Sequence, residues 1–260
     1  MPPVLGERRK HSLIEILGVA ALVAAVVVLA YRDFTREADV PAPAASASSA
    51  APADPARQDE ARRKAFELAY AEQHWGKDKQ GKGTSGFGST LEFTKPYRAF
   101  LQDFMARHAI RSVVDAGCGA WESAQAIDWR GIDYLGIDIV EPVIKANQER
   151  FGAANIRFAV ADMVRDELPP ADLLIVKDVL QHLSNADITR FLAQLPRYRH
   201  VLLVNDVHPA SLTAQTGDIR SGEYRQIDPT QPPHSVAGTK VFAWHYGGYS
   251  KLVVHVQRRP

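Results

Sequence analysis

Five short apolar runs, each ending at an acidic residue, limit what this chain can fold into. Val113 and Val114 lead to Asp115. Residues 134–139 carry Asp138 near their end, and residues 156–160 lead to Asp162. Residues 173–176 stop at Lys177 and Asp178, and residues 201–204 stop at Asn205 and Asp206. Apolar runs without polar alternation belong to strands buried on both faces. Helical patterns separate several of them: residues 121–129, residues 141–151 with Pro142 in the first turn, and residues 185–195 with Asn185 as a candidate cap. Upstream, residues 57–70 and 97–108 carry partial apolar faces at helical spacing. The alternation predicts an α/β fold, doubly wound, with a mostly parallel sheet covered on both sides. Residues 240–257 differ. They read as two strands joined through Gly247 and Gly248, so the sheet is expected to end in an antiparallel hairpin.

The N-terminal part has another character. Residues 13–31 hold a single charge, Glu15, and Arg8, Arg9 and Lys10 precede them. Eighteen helical residues span ~27 Å, close to the hydrocarbon thickness of a bilayer. No small-residue cleavage site follows at once, so an uncleaved single-pass anchor fits better than a signal peptide. Residues 38–56 are almost all Ala, Pro, Ser and acid, too poor in apolar bulk to offset the entropy of ordering. The expected organisation is a tail (1–11), a transmembrane helix (12–31), a disordered Ala/Pro-rich linker (32–56) and one folded domain (57–260). The single cysteine, Cys118, excludes an internal disulfide framework and a cysteine-rich zinc site. A net charge of +1 and the lack of a basic, aromatic-laced stripe argue against a nucleic-acid partner.

Function turns on what the glycine turn after the first strand holds. Ligands of open α/β sheets sit beyond the carboxyl ends of the strands. Gly117 and Gly119 let the backbone approach such a ligand. Asp138 is placed for ribose hydroxyls and Asp162 for a purine amine. The dinucleotide fingerprint G-x-G-x-x-G is incomplete, because Ala120, Trp121 and Glu122 follow the second glycine. Asp115 and Glu122 would also repel a pyrophosphate. A cationic adenosine ligand without phosphates suits this acidic setting, as S-adenosylmethionine is.

The segments VVDAGCGAW, YLGIDIV, FAVADM and LLIVKDVLQHL, in this order and spacing, resemble the class I S-adenosylmethionine-dependent methyltransferases. The resemblance implies a Rossmann-like seven-stranded sheet with its last strand reversed. It also implies that Asp115, Gly117 and Gly119 line the methionine end of S-adenosyl-L-methionine, that Asp138 holds the ribose, and that Asp162 and Met163 meet the adenine. One departure is Trp121, where many members have a third glycine. It is expected to narrow the pocket or to stack an aromatic ring near the cofactor.

In this family the segment after the fourth strand faces the transferring methyl. Asp178 and His182 are candidate bases there, and Lys177 is a candidate for orienting an anionic group. Arg220, Tyr224 and Arg225, in the insertion before the final hairpin, are candidates for substrate recognition. Residues 84–98 are a candidate cover for the cofactor. The N-P-P-Y and D-P-P-Y motifs of nucleobase amino-methylation are absent. The leading expectation is a membrane-tethered methyltransferase for a small-molecule, glycan or lipid-linked acceptor. Two alternatives compete with it: a non-catalytic module that keeps the cofactor fold, and a nicotinamide-dependent oxidoreductase. The charges flanking residues 13–31 weakly favour export of the domain. The cytoplasmic origin of the cofactor favours the cytoplasmic face, which is the expectation adopted.

Overall fold

The computed structural model describes residues 54–76, 85–214, 217–246 and 248–258. The anchor expected over residues 12–31 and most of the linker lie outside these. Among the described residues no helix is long and apolar enough to cross a membrane.

Seven strands form one sheet in the order β3-β2-β1-β4-β5-β7-β6. They are β1 (Ser112–Ala116), β2 (Asp133–Asp138), β3 (Ile156–Val160), β4 (Leu173–Lys177), β5 (His200–Asp206), β6 (Thr239–Tyr246) and β7 (Tyr249–Gln257). The first five pair in parallel, and β7 pairs antiparallel with both β5 and β6. Strand order reverses between β1 and β4, which is where an open sheet leaves a crevice. The expected doubly wound sheet with a reversed hairpin is present.

Successive side chains of the central strands go to opposite faces. Val114, Leu174, Val201 and Leu203 join one core with Phe66, Ile188 and Phe191. Val113, Leu173, Leu202 and Val204 join another with Leu101, Phe104 and Ile144. Helices α1 (Pro55–Ala71) and α4 (Asn185–Leu192) therefore cover one face. Helices α2 (Lys95–Arg107) and α3 (Glu141–Phe151) cover the other. Each fully buried Leu, Ile or Val adds about 1.5–3 kcal/mol relative to leaving it exposed. Asp54 caps α1 by accepting from Ala56 N at 3.0 Å, with Pro55 in the first turn.

Two helix expectations need correction. Residues 121–129 do not form an α-helix; only a 3₁₀ turn, Ala124–Ala126, appears there. Trp121 has a left-handed backbone (φ +57°), which no α-helix tolerates at its start. Its indole instead enters an aromatic nest, 4.9 Å from the Phe151 ring and 5.4 Å from Phe158. The second correction concerns α4, which ends at Leu192 and is capped by Ser184, whose side chain accepts from Asp187 N at 3.2 Å. Pro196 sets that end, since it cannot donate back to Leu192 and disfavours helix at Leu195.

Candidate active site

One cavity of about 480 Å³ opens at the carboxyl ends of the strands. The size suits a small-molecule site. Asp115, Gly117, Gly119, Asp138, Asp162 and Met163 all line it, and so do Lys177, Asp178, His182 and Tyr224. Arg220 and Arg225 are not among its lining residues. Arg225 is spent on structure: its guanidinium donates to the carbonyls of Leu183, at 2.8 Å, and of Gly217. Trp121 is buried behind the cavity, so it neither narrows it nor faces a ligand.

The glycine turn is held from three sides. Gly117 and Cys118 both donate their N–H to Ile137 O, at 2.8 and 2.9 Å. Asn147, buried on α3, donates to Gly119 O at 2.7 Å. Ser85 accepts from Ala120 N at 2.7 Å and shares a 2.9 Å hydrogen bond with Tyr70 OH. Gly117 sits at φ +79°, and a Cβ there would meet Val179 Cγ2 at 2.3 Å. Any larger residue would fill the cradle.

Asp115, Asp138 and Asp162 approach from three successive strand ends. Burial pushes the Asp115 carboxyl up to about 6, against the hydrogen bond it accepts from Tyr134 OH at 2.7 Å. A cation bound beside it would restore full ionisation. Asp138 accepts from Gly119 N at 3.1 Å with one oxygen and from Val140 N at 3.0 Å with the other. A carboxylate has about four acceptor positions, so each oxygen retains one for a hydroxyl. Asp162 accepts from Val164 N at 3.0 Å and pairs with Arg62 at 2.5 Å.

Sequence reasoning missed Arg62. It is 3% exposed and bridges Asp59, Asp162 and Asp187, fixing α1 across the cavity mouth. Its signal was positional: Arg62, Phe66 and Ala69 share the buried face of α1 at i, i+4, i+7 spacing. Lys251 was missed too. It directly precedes the apolar residues 252–254 of β7, opposite Asp206, and is 3% exposed.

Lys251 changes how the candidate bases read. Its Nζ lies 2.6 Å from Asp178 Oδ1 and 2.7 Å from Asp206 Oδ1. Lys177 Nζ lies 2.6 Å from Asp178 Oδ2 and donates to Gly88 O at 3.1 Å. Burial opposes ionisation of Asp178, but the two ammonium groups outweigh it and hold the carboxyl well below the usual range. Such a carboxylate is a poor proton acceptor at neutral pH. His182 is different. Its Nδ1 lies 2.9 Å from Glu223 O, which can only accept, so Nδ1 carries the hydrogen and Nε2 the lone pair. Burial pushes its pKa below the ordinary value, against that hydrogen bond. The ring is neutral at pH 7 and presents an unprotonated Nε2.

These parts fit a ligand with positive charge at one end, two hydroxyls in the middle and an amine at the other. Asp115, Asp138 and Asp162 offer the matching acceptors.

Comparison with known proteins agrees. Residues 113–199 match the family described as "Methyltransferase domain". A magnesium-protoporphyrin O-methyltransferase of Rhodobacter capsulatus is 30% identical over 100 residues, covering 37% of this chain and 45% of that protein. The chain thus matches less than half the length of this relative. The crystal structure of magnesium protoporphyrin IX methyltransferase from Synechocystis PCC 6803 with bound S-adenosylhomocysteine superimposes with a TM-score of 0.54. It is 14% identical and covers 77% of this chain and 99% of that one. The N-methyltransferase NodS of Bradyrhizobium japonicum WM9, also with S-adenosylhomocysteine, gives a TM-score of 0.51 at 15% identity, covering 66% and 89%. Residues 113–199 thus match the methyltransferase-domain family, and the chain shares the fold of the class I S-adenosylmethionine-dependent methyltransferases.

Proposed function

We propose that this chain transfers a methyl group from S-adenosylmethionine to a small-molecule acceptor. The observation that carries this reading is the acidic trio, Asp115, Asp138 and Asp162, arranged around the glycine turn at the point of strand reversal. When bound, S-adenosylmethionine supplies an electrophilic methyl group on a positively charged sulfur. Asp115, Gly117 and Gly119 take its methionine end, Asp138 its ribose, and Asp162 with Met163 its adenine. The remaining task for the chain is alignment, since an in-line displacement gains most from positioning. His182 Nε2 accepts a proton where the nucleophile carries one, and Asp178 anchors the two lysines beside it. The relative from Rhodobacter capsulatus is named for O-methylation of a magnesium porphyrin. That name supports a small-molecule acceptor over a glycan or lipid-linked one.

The tether belongs to the same proposal. Residues 12–31 anchor the chain in a membrane, with residues 57–260 as the methyltransferase domain on the cytoplasmic face. Alkaline-carbonate extraction and protease protection of the full-length protein test both points.

The experiment for the activity is a melting series on the full-length protein with S-adenosylmethionine, S-adenosylhomocysteine, NAD or buffer. A ligand that binds only the native state raises Tm, by about 2.7 kcal/mol of stability at a hundred times its Kd. The expected result is a shift with the first two ligands and its loss in Asp138→Ala. No shift with either at millimolar concentration defeats the reading.

A further inference from the structure

The part of the cavity beyond the glycine turn has aromatic walls. The Trp75 and His182 ring centroids lie 5.2 Å apart, tilted by 44°, and those of Tyr224 and His182 lie 5.8 Å apart, tilted by 46°. Tyr70 meets Trp75 edge-on at 5.1 Å and fixes the indole. Trp75 is partly buried and Tyr224 is 52% exposed, yet both line the cavity. Flat rings at a cavity wall favour a flat partner.

Four charged side chains that line the same cavity have no net charge to offer. Lys177, Asp178, Lys251 and Asp206 alternate in sign, each within 2.7 Å of the next. Both oxygens of each carboxylate are engaged, the last by Tyr224 OH at 3.2 Å. An anionic acceptor would find each ammonium already sharing its charge with a carboxylate, so the cluster gives it no net attraction. Lys177, expected to orient an anionic group, shares its charge with Asp178 here. His182 Nε2 offers an acceptor beside these rings, with Gln181 Nε2 only at a long 3.5 Å.

Resting on the methyltransferase reading, we infer that the acceptor is an uncharged planar aromatic molecule. It binds against Trp75 and Tyr224 and donates a hydroxyl or amine hydrogen to His182 Nε2.

The test uses full-length protein saturated with S-adenosylhomocysteine and three probes: 2-naphthol, its saturated analogue trans-2-decalol, and 2-naphthoate. Binding is read by saturation-transfer NMR and isothermal calorimetry. 2-Naphthol is expected to bind about tenfold more tightly than either other probe. Trp75→Leu and Tyr224→Leu are each expected to weaken 2-naphthol about fivefold, with S-adenosylhomocysteine affinity within twofold of the parent. Tyr224→Phe, which keeps the ring, should retain it. Equal binding of the decalol, tighter binding of the naphthoate, no binding of 2-naphthol at millimolar concentration, or indifference to both leucine variants would each overturn the inference. Failure of S-adenosylhomocysteine itself to bind defeats the methyltransferase reading instead. In that case the same probe ranking, measured without it, still decides whether the aromatic site exists.

Discussion

Trp121 shows how one residue can be read correctly as unusual and wrongly as functional. It stands where the resembling family often has glycine, and it takes the left-handed backbone that glycine would. Its ring goes away from the cavity into the nest formed by Tyr134, Phe151 and Phe158. Its contribution is therefore to packing. Trp121→Ala is expected to cost about 3–5 kcal/mol by urea denaturation. Cofactor affinity, measured by calorimetry with S-adenosylhomocysteine, should change less than twofold. A large loss of affinity at unchanged stability would return Trp121 to the cofactor site. Asp178 was legible as a site residue from its place after β4. Its silence as a base was not, because the second lysine comes from β7, 73 residues away in sequence.

At the scale of elements, α1 is the least expected contributor. Composition and spacing marked it as a helix, and nothing local said that it would wall the cavity with Arg62, Phe66 and Tyr70. Arg62 makes this placement specific. Burial alone would favour the neutral guanidine, but Asp162, Asp59 and Asp187 more than offset that and stabilise the charge. Arg62→Met leaves two nearly buried carboxylates, Asp162 and Asp187, without their cation. Removing one partner of such a network costs about 3–5 kcal/mol. We expect that loss in denaturant midpoint, and faster amide exchange in residues 55–71 than elsewhere in the domain. Uniform exchange across the domain would show that α1 is not separately pinned. The absent helix over residues 121–129 belongs to this scale too. Apolar content suggested it, and tertiary packing of the indole outweighed a propensity worth tenths of a kcal/mol per residue.

Across the whole molecule, the two ends of the sheet carry opposite chemistry. The carboxyl ends hold the acidic cavity. At the other end of β5, His200 Nδ1 lies 3.0 Å from His255 Nε2 on β7, and the His108 ring lies 4.6 Å from that of His200. Burial, then the neighbouring His200 and His108, push the His255 pKa down to about 4. A histidine depressed on folding stabilises the protein above its unfolded value of about 6.5 and loses that contribution as pH falls toward 4. Asp115, raised to about 6, has the opposite sign: its folded form gains stability as pH falls through 6 toward 4. Comparison with a variant separates them. The histidine contribution by itself is expected to lower Tm by roughly 3–6 °C between pH 7.5 and 5, with Asp115 offsetting part of it in the parent. His255→Asn should remove at least half of that slope. An unchanged slope would place the pH dependence elsewhere.

What the sequence determined by itself was the alternation, and hence the fold. The continuous apolar runs 173–176 and 201–204 are buried on both faces, while β3 at the sheet edge is partly exposed; strand identity, the parallel core and the reversed hairpin follow from local composition. The same holds for Gly117, Gly119, Asp115, Asp138 and Asp162. They sit at strand ends, and the crevice of such a sheet lies at strand ends. Tertiary structure alone decided which charges are free. Lys251 neutralises Asp178 and Asp206, Arg62 takes part of Asp162, and Arg225 turns to backbone carbonyls. All but the Arg225–Gly217 contact join residues 42 to 100 positions apart, and a buried charge takes whichever partner the packing brings within about 3 Å. No periodicity encodes that choice.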